Sequence, residues 1–264
     1  MDLQLQNKKV LVSGSTAGIG FATAALFLRE GAEVIINGRT QERVNKAIEA
    51  LRQQVPGARV SGIVADFSKA ADAEAVTQQV PQVDILINNV AIFEPKEFAD
   101  ITDEDWLRFY QVNVLSGIRL SRYYLPKMLE QNWGRIVFIS SESAVHIPQE
   151  MIHYGMTKTA QLAISRGLAE LTRGTAVTVN AVLPGPTRSE GVDGFIENLA
   201  KAQNKTQDQV EADFFKTARP TSLIQRFASV EEVANMIVYV SSPLASATNG
   251  AALRVDGGVV KTIV

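Results

Sequence analysis

Two tyrosines in this 264-residue chain are each followed by a lysine four positions later: Tyr154 by Lys158 in YGMTK, and Tyr123 by Lys127 in YYLPK. On a helix, residues four apart share a face with β-carbons about 5–6 Å apart, so either pair could act on one ligand. The chemistry on offer is proton transfer at an oxygen. A free phenol with pKa near 10 is a poor base at neutral pH, and lowering it by about three units takes roughly 4 kcal/mol of preferential phenolate stabilisation. A nearby ammonium has the right sign for that. The spacing alone does not choose between the copies.

What precedes each pair does. Upstream of Tyr154 the run GRIVFIS reads as a strand that delivers Ser140 and Ser141 to its carboxyl end, where open α/β sheets bind their ligands. Tyr123 follows no such strand and sits in a long helical segment that contains Pro126, so it reads as helix surface or packing.

The strand before Tyr154 is one of a series. KVLVS, AEVIIN, ARVSGIVA, VDILIN, GRIVFIS, AVTVNAV and AALRVD alternate with segments of helical periodicity, a rhythm of βαβ units. Several of these runs are apolar on consecutive positions, which suits strands covered on both faces. The expected fold is α/β: a doubly wound parallel sheet of about seven strands with helices on both faces, in a single domain spanning residues 1–264. GIGFATAALFLREG predicts a helix ended by Gly31, and a second is predicted from about Gln41 to Gln54. One long insertion, approximately residues 186–225, interrupts the rhythm; with Leu199, Val210, Phe214 and Phe215 in helical-looking pieces it reads as a small lid.

The first strand runs into SGSTAGIG, in which Gly14, Gly18 and Gly20 open a helix. Glycines there permit a tight turn and close backbone approach, and the helix start offers unpaired N–H groups to a pyrophosphate. At the end of the second strand, VIINGRT has no carboxylate to bind a ribose 2′-hydroxyl and instead places Arg39 where a 2′-phosphate would be welcome. NADP(H) is therefore favoured, with NAD(H) as the alternative.

Composition narrows the field. A formal charge of -2 with scattered charges gives no footprint for nucleic acid or a membrane surface. The amino terminus carries no signal-peptide pattern and no apolar run reaches the roughly 18 residues of a membrane span, so a cytoplasmic protein is expected. There are no cysteines, and with only His146 and His153 a metal centre is not expected. His146 reads as a loop residue; His153 adjoins Tyr154 but points about 100° away on a helix.

Taken together and in order, SGSTAGIG, NNVA, QVNVLSG, the Ser141/Tyr154/Lys158 set, PGPTRS and VDGG resemble the short-chain dehydrogenase/reductase family, in its single-domain oxidoreductase subgroup with a Rossmann-like fold. The resemblance implies a serine 13 positions before the active tyrosine, which selects Ser141 over Ser140, and adds Asn113 to the catalytic set. By the same resemblance Tyr154 is the general acid/base, Ser141 and Tyr154 bind the substrate oxygen, and Lys158 lowers the pKa of the tyrosine while holding the nicotinamide ribose. Asn113 would hold a water that continues a proton relay. Cofactor contacts are implied at Gly14, Thr16, Gly18, Ile19, Gly20, Arg39, Asp66, Phe67, Asn89, Ala91, Tyr154, Lys158, Pro184, Gly185, Thr187 and Ser189. Asp66 read on its own is equally a cap for the helix that follows. Ser13, Ala91 and Ser189 depart from the family's usual threonine, glycine and threonine.

The implied function is hydride transfer between NADP(H) or NAD(H) and a small ketone or secondary alcohol, in a homotetramer or homodimer. The competing readings are a catalytically silent nucleotide sensor on the same fold, and an epimerase or lyase of the wider superfamily.

Overall fold

The strands are short and apolar at consecutive positions because each is buried on both sides. In β1 (Lys9–Val12), Val10 and Val12 enter the core on one face of the sheet while Leu11 enters the core on the other. The same division splits Val34 and Ile36 from Ile35 in β2 (Glu33–Gly38), and Ile85 and Ile87 from Leu86 in β4 (Ile85–Asn88). A side-chain period of two inside an all-apolar run therefore feeds two cores rather than one core and solvent. A computed structural model describes residues 1–263, apart from the side chains of Phe195 and Leu199, so Leu199 of the predicted lid lies outside the described side chains.

With β3 (Arg59–Val64), β5 (Gly134–Ile139), β6 (Val177–Pro184) and β9 (Ala252–Val255) these form a seven-stranded parallel sheet in the order β3-β2-β1-β4-β5-β6-β9. The expected Rossmann-like architecture is present, strand for strand. One core is filled from α1 (Gly18–Arg29), α2 (Gln41–Gln54) and α9 (Val230–Val240), the other from α3 (Ala70–Gln79), α5 (Ser116–Glu130) and α6 (Ile152–Glu170). The strand order reverses between β1 and β4, which opens a crevice at their carboxyl ends.

Local signals set the helix ends. Thr40 accepts a hydrogen bond from the Arg43 N–H to cap α2, and Thr102 and Asp105 form a reciprocal capping box at α4 (Asp103–Tyr110). α1 is different. Its N-cap residue, Ala17, supplies no side-chain cap, and no acidic residue lies in its first turn. Between α4 and α5 the chain makes a π-helical turn, Gln111–Leu115, so the long helical segment expected around Asn113 is interrupted at that residue.

The insertion folds into α7 (Glu190–Gln203) and α8 (Gln207–Thr217), closed at its base by a short parallel pair, β7 (Thr187–Arg188) with β8 (Ala228–Ser229). Ile196, Ala200, Val210, Phe215 and Phe227 give it a small core of its own. Phe214 stacks on Phe227 with ring centroids 5.1 Å apart.

Candidate active site

The carboxyl edges of β1, β2 and β4 are joined by short polar side chains. The Ser13 hydroxyl donates to the Ile87 carbonyl and accepts from the Asn89 N–H, while Asn89 Nδ2 donates to the carbonyls of Ser13 and Gly14. Asn37 Oδ1 accepts from the Gly14 N–H, and its amide reaches the Ala65 carbonyl beyond β3. Loop groups that would otherwise be orphaned are thus satisfied, and the glycine-rich turn is fixed.

Within that turn Gly14 and Gly18 have φ of 61° and 59°, the left-handed region open to glycine. At Gly20 a β-carbon would lie 2.6 Å from both Asn89 Nδ2 and the Gly14 carbonyl oxygen. Gly38 ends β2 against Thr16, whose Cγ2 would meet a β-carbon there at 2.5 Å. The turn therefore presents backbone, and the uncapped start of α1 adds unpaired N–H groups that an anion can use.

A cleft of about 760 Å³ opens over this edge. Gly18, Ile19, Asn89, Ala91, Ser141, Tyr154, Lys158, Pro184, Gly185, Thr187 and Ser189 line it, so most of the residues singled out in the sequence converge there. Arg39 is exposed at the end of β2 and acts electrostatically on Asp66. The Asp66 carboxylate accepts from both the N–H and the hydroxyl of Ser68. Burial would raise the pKa of this carboxyl, but the Ser68 bonds, with Lys69 and Arg39, bring it below its ordinary value. The capping reading of Asp66 is thus visible in its contacts. The Phe67 ring is in the core, 1% exposed, and its carbonyl accepts from Arg119, so the cofactor contact implied at this position would not be made by the ring.

Ser140 and Ser141 part company as their order implied. The Ser140 hydroxyl donates to the Lys158 carbonyl and is used up inside the fold. Ser141 lines the cleft, its oxygen capping the turn that follows by accepting from the Ser143 N–H. Tyr154 and Lys158 share a face of α6, with Lys158 Nζ 5.6 Å from the centre of the Tyr154 ring. Lys158 is 2% exposed, and its Nζ donates to the Ile139 carbonyl at 2.8 Å and to Gln161 Oε1 at 3.3 Å.

One expectation about proton chemistry changes in the folded chain without cofactor. Burial pushes the Tyr154 phenol up to about 12, with Glu142 adding to the rise and Ser141 and Arg219 opposing it, while burial pulls Lys158 down to about 7. In the protein alone the lysine therefore does not bring the tyrosine down; desolvation of each charged form dominates. The Asn113 carbonyl accepts the Gln161 side-chain N–H at 2.6 Å, which leaves its second lone pair for the relay water implied at this residue. The Asn113 side chain clamps the Ile92 backbone through both its N–H and its carbonyl, and donates to Thr157.

Sequence reasoning missed four residues: Gln161, Arg219, Glu142 and Glu150. Gln161 lies three positions beyond Lys158 on the same helix, and that spacing was its only signal. Arg219, from the insertion, pairs with Glu142 at 3.0 Å and with Glu150 at 3.3 Å. Arg219 and Glu142 are buried, all three line the cleft, and nothing local announces a pair 77 residues apart. The histidines fall as expected, away from the chemistry: His146 is exposed, and His153 is buried against Phe109 and Trp106.

Comparison with known proteins agrees with this arrangement. The family described as Enoyl-(Acyl carrier protein) reductase matches residues 14–260. The chain is 52% identical to the uncharacterized oxidoreductase YvrD of Bacillus subtilis, over all of both chains. It is 32% identical to Dehydrogenase/reductase SDR family member 4 of Bos taurus, covering 96% of this chain and 88% of that one. Among solved structures, L-sorbose reductase from Gluconobacter frateurii, complexed with NADPH and L-sorbose, superposes with a TM-score of 0.94 at 29% identity over all of both chains. With the sheet order, the glycine turn and the Ser141, Tyr154 and Lys158 cleft on one edge, these matches place the chain in the short-chain dehydrogenase/reductase family, as an oxidoreductase.

Proposed function

We propose that the protein reduces a small ketone, or oxidises the corresponding secondary alcohol, with NADP(H) as the favoured partner. The observation that carries this reading is the convergence of Ser141, Tyr154 and a buried Lys158 on one cleft at the carboxyl edge of the sheet. The residues present fit a dinucleotide. The left-handed turn at Gly14 and Gly18 and the uncapped start of α1 would hold its pyrophosphate, Arg39 its 2′-phosphate, and Lys158 its nicotinamide ribose. When bound, the nicotinamide supplies the hydride. NADPH in the complex of the similar L-sorbose reductase supports the choice of phosphate form, and the ketose in that complex supports a carbonyl substrate.

The chain's own residues then have separable roles. Tyr154, held protonated by burial, donates a proton to the carbonyl oxygen in reduction and takes one back in oxidation. The Ser141 hydroxyl donates a hydrogen bond to the same oxygen. Asn113 holds the Ile92 backbone and the start of α6 in place through Thr157, whose hydroxyl donates to the Tyr154 carbonyl. The helices of the insertion cover the substrate end of the cleft with Val210, Phe214 and Ala218 and act as a lid that excludes water.

The same reading makes the enzyme a cytoplasmic homotetramer or homodimer. Among the described residues no helix is long and apolar enough to cross a membrane. Sedimentation at micromolar concentration tests the assembly.

The decisive experiment is a panel of ketones and secondary alcohols assayed with NADPH, NADH and their oxidised forms. Turnover of a carbonyl by the native protein, with NADPH bound but turnover abolished in Tyr154→Phe, is the expected result. An unimpaired Tyr154→Phe would refute the assignment.

A further inference from the structure

A lysine that is 2% exposed has to have its N–H groups answered by the protein, and on Lys158 two of the three are. The Ile139 carbonyl takes one at 2.8 Å and Gln161 Oε1 takes the second at 3.3 Å. The third is left for the cleft that Lys158 lines. Gln161 is itself 2% exposed, and its Nε2 donates to the Asn113 carbonyl at 2.6 Å. The orientation of this amide follows from its neighbours, because a carbonyl only accepts and an ammonium only donates, so the oxygen must face Lys158 and the nitrogen Asn113.

The Asn113 carbonyl is available because of the π turn at Gln111–Leu115, where the regular helical ladder is displaced. One helical defect, one amide and one ammonium thus form a continuous chain: Asn113 carbonyl, Gln161, Lys158. All the partners are fixed. Asn113 is anchored through its own side chain to Ile92 and Thr157, and Ile139 ends β5.

We propose that Gln161 is the positioning residue of the active-site lysine, tying the Lys158 ammonium to the Asn113 backbone so that its one remaining N–H is aimed into the cleft. This rests on the reading of Lys158 as the site's cation. An amide matched in this way fixes the ammonium without passing a proton on, since one of its ends meets a pure acceptor and the other a pure donor. Gln161 touches neither substrate nor cofactor in this role; it acts through Lys158.

The test reads Lys158 itself. Protein labelled with carbon-13 at the lysine ε-carbons is titrated by NMR without cofactor, and the Lys158 signal is identified by its loss in Lys158→Met. Gln161→Leu removes the acceptor of a hydrogen bond to the charged amine, so the Lys158 midpoint should fall by about one unit. Gln161→Glu keeps an oxygen there and adds negative charge, so the midpoint should rise above that of the native protein. Alongside, kcat for a carbonyl reduced by the native protein should drop about tenfold in Gln161→Leu and stay reduced in Gln161→Glu, whose carboxylate cannot donate to the Asn113 carbonyl. Should Gln161→Leu fail to fold, Gln161→Met, unbranched and of similar length, replaces it in the same titration. An unmoved midpoint in a folded Leu or Met variant, or shifts of the same sign in the Leu and Glu variants, would overturn the proposal. Native protein inactive across the whole carbonyl panel would instead sink the proposed function, while the NMR titration would still decide whether Gln161 holds Lys158.

Discussion

Tyr123 with Lys127 and Tyr154 with Lys158 have the same spacing, both lie on helices, and in both the ammonium sits near the ring: 4.8 Å from its centre in the first pair and 5.6 Å in the second. By contact geometry the idle copy is the closer one. The difference lies in what else surrounds the lysine. Lys127 is half-exposed on α5, with water free to solvate its charge, and Tyr123 packs edge-on against Tyr124. Lys158 is shut against the end of β5 with a carbonyl and an amide as its only described side-on acceptors. A spacing fixes which residues share a helix face; the strand end beneath that face decides whether the pair is shut away from water, where burial shifts the protonation of each member.

The comparison can be broken most directly at the phenols. Tyr154→Phe should lower kcat by about 10³, the scale of a lost positioned proton donor, while Tyr123→Phe should stay within about twofold of the native protein. Steady-state kinetics on one active ketone decides it, and a large loss at Tyr123 would erase the distinction. The lysines come next. Lys158→Met should reduce kcat/KM by about 10² and weaken cofactor binding measured by NADPH fluorescence, whereas Lys127→Met should alter stability by no more than about 0.5 kcal/mol and leave kinetics alone. Arg39→Ala sharpens the picture at the end of β2: a tenfold loss of NADPH affinity, about 1.4 kcal/mol, is expected, with little change for NADH. Equal losses for the two cofactors would count against the 2′-phosphate contact.

The smallest effect belongs to the residue beside Tyr154. His153 is fully buried, neither ring nitrogen has a hydrogen-bond partner among the described residues, and its ring lies 4.1 Å from that of Phe109. Burial pushes its pKa below the ordinary value, against the influence of Asp105 and Glu94. The unfolded chain therefore binds this proton more readily than the folded one. The stability that a neutral His153 confers is complete above the unfolded value of about 6.5 and declines as pH falls below it toward the folded pKa. Urea denaturation at about pH 8 and about pH 5 should show a loss at the lower pH that shrinks in His153→Leu.

Much of this was legible in the chain because it is local. A β-branched run buried on both faces, a glycine turn before a helix, and the order of serine, tyrosine and lysine all depend on residues near one another in sequence. Ser141 was told from Ser140 only through the family resemblance; both line the cleft, with the Ser140 hydroxyl donating to the Lys158 carbonyl. What stayed hidden was set by tertiary approach. The π turn at Asn113 has no compositional mark, the burial of the Phe67 ring in the core has none either, and Arg219 finds Glu142 only because the insertion folds back over the edge of the sheet. The burial around Tyr154 and Lys158 was hidden for the same reason: sequence shows a phenol and a nearby cation but not the desolvation that acts on each.

The bare amino end of α1 has a consequence for the protein's endurance. A helix that begins at Ala17 with no side-chain cap leaves its first-turn amides to solvent, and a phosphate-bearing ligand that binds there binds the native fold alone. Mass action then couples heat tolerance to ligand supply: at a hundredfold excess over the dissociation constant the native state gains about 2.7 kcal/mol. Chain purified away from dinucleotide should melt earlier than the same chain at cellular dinucleotide levels, and the gap should widen with the logarithm of the concentration added.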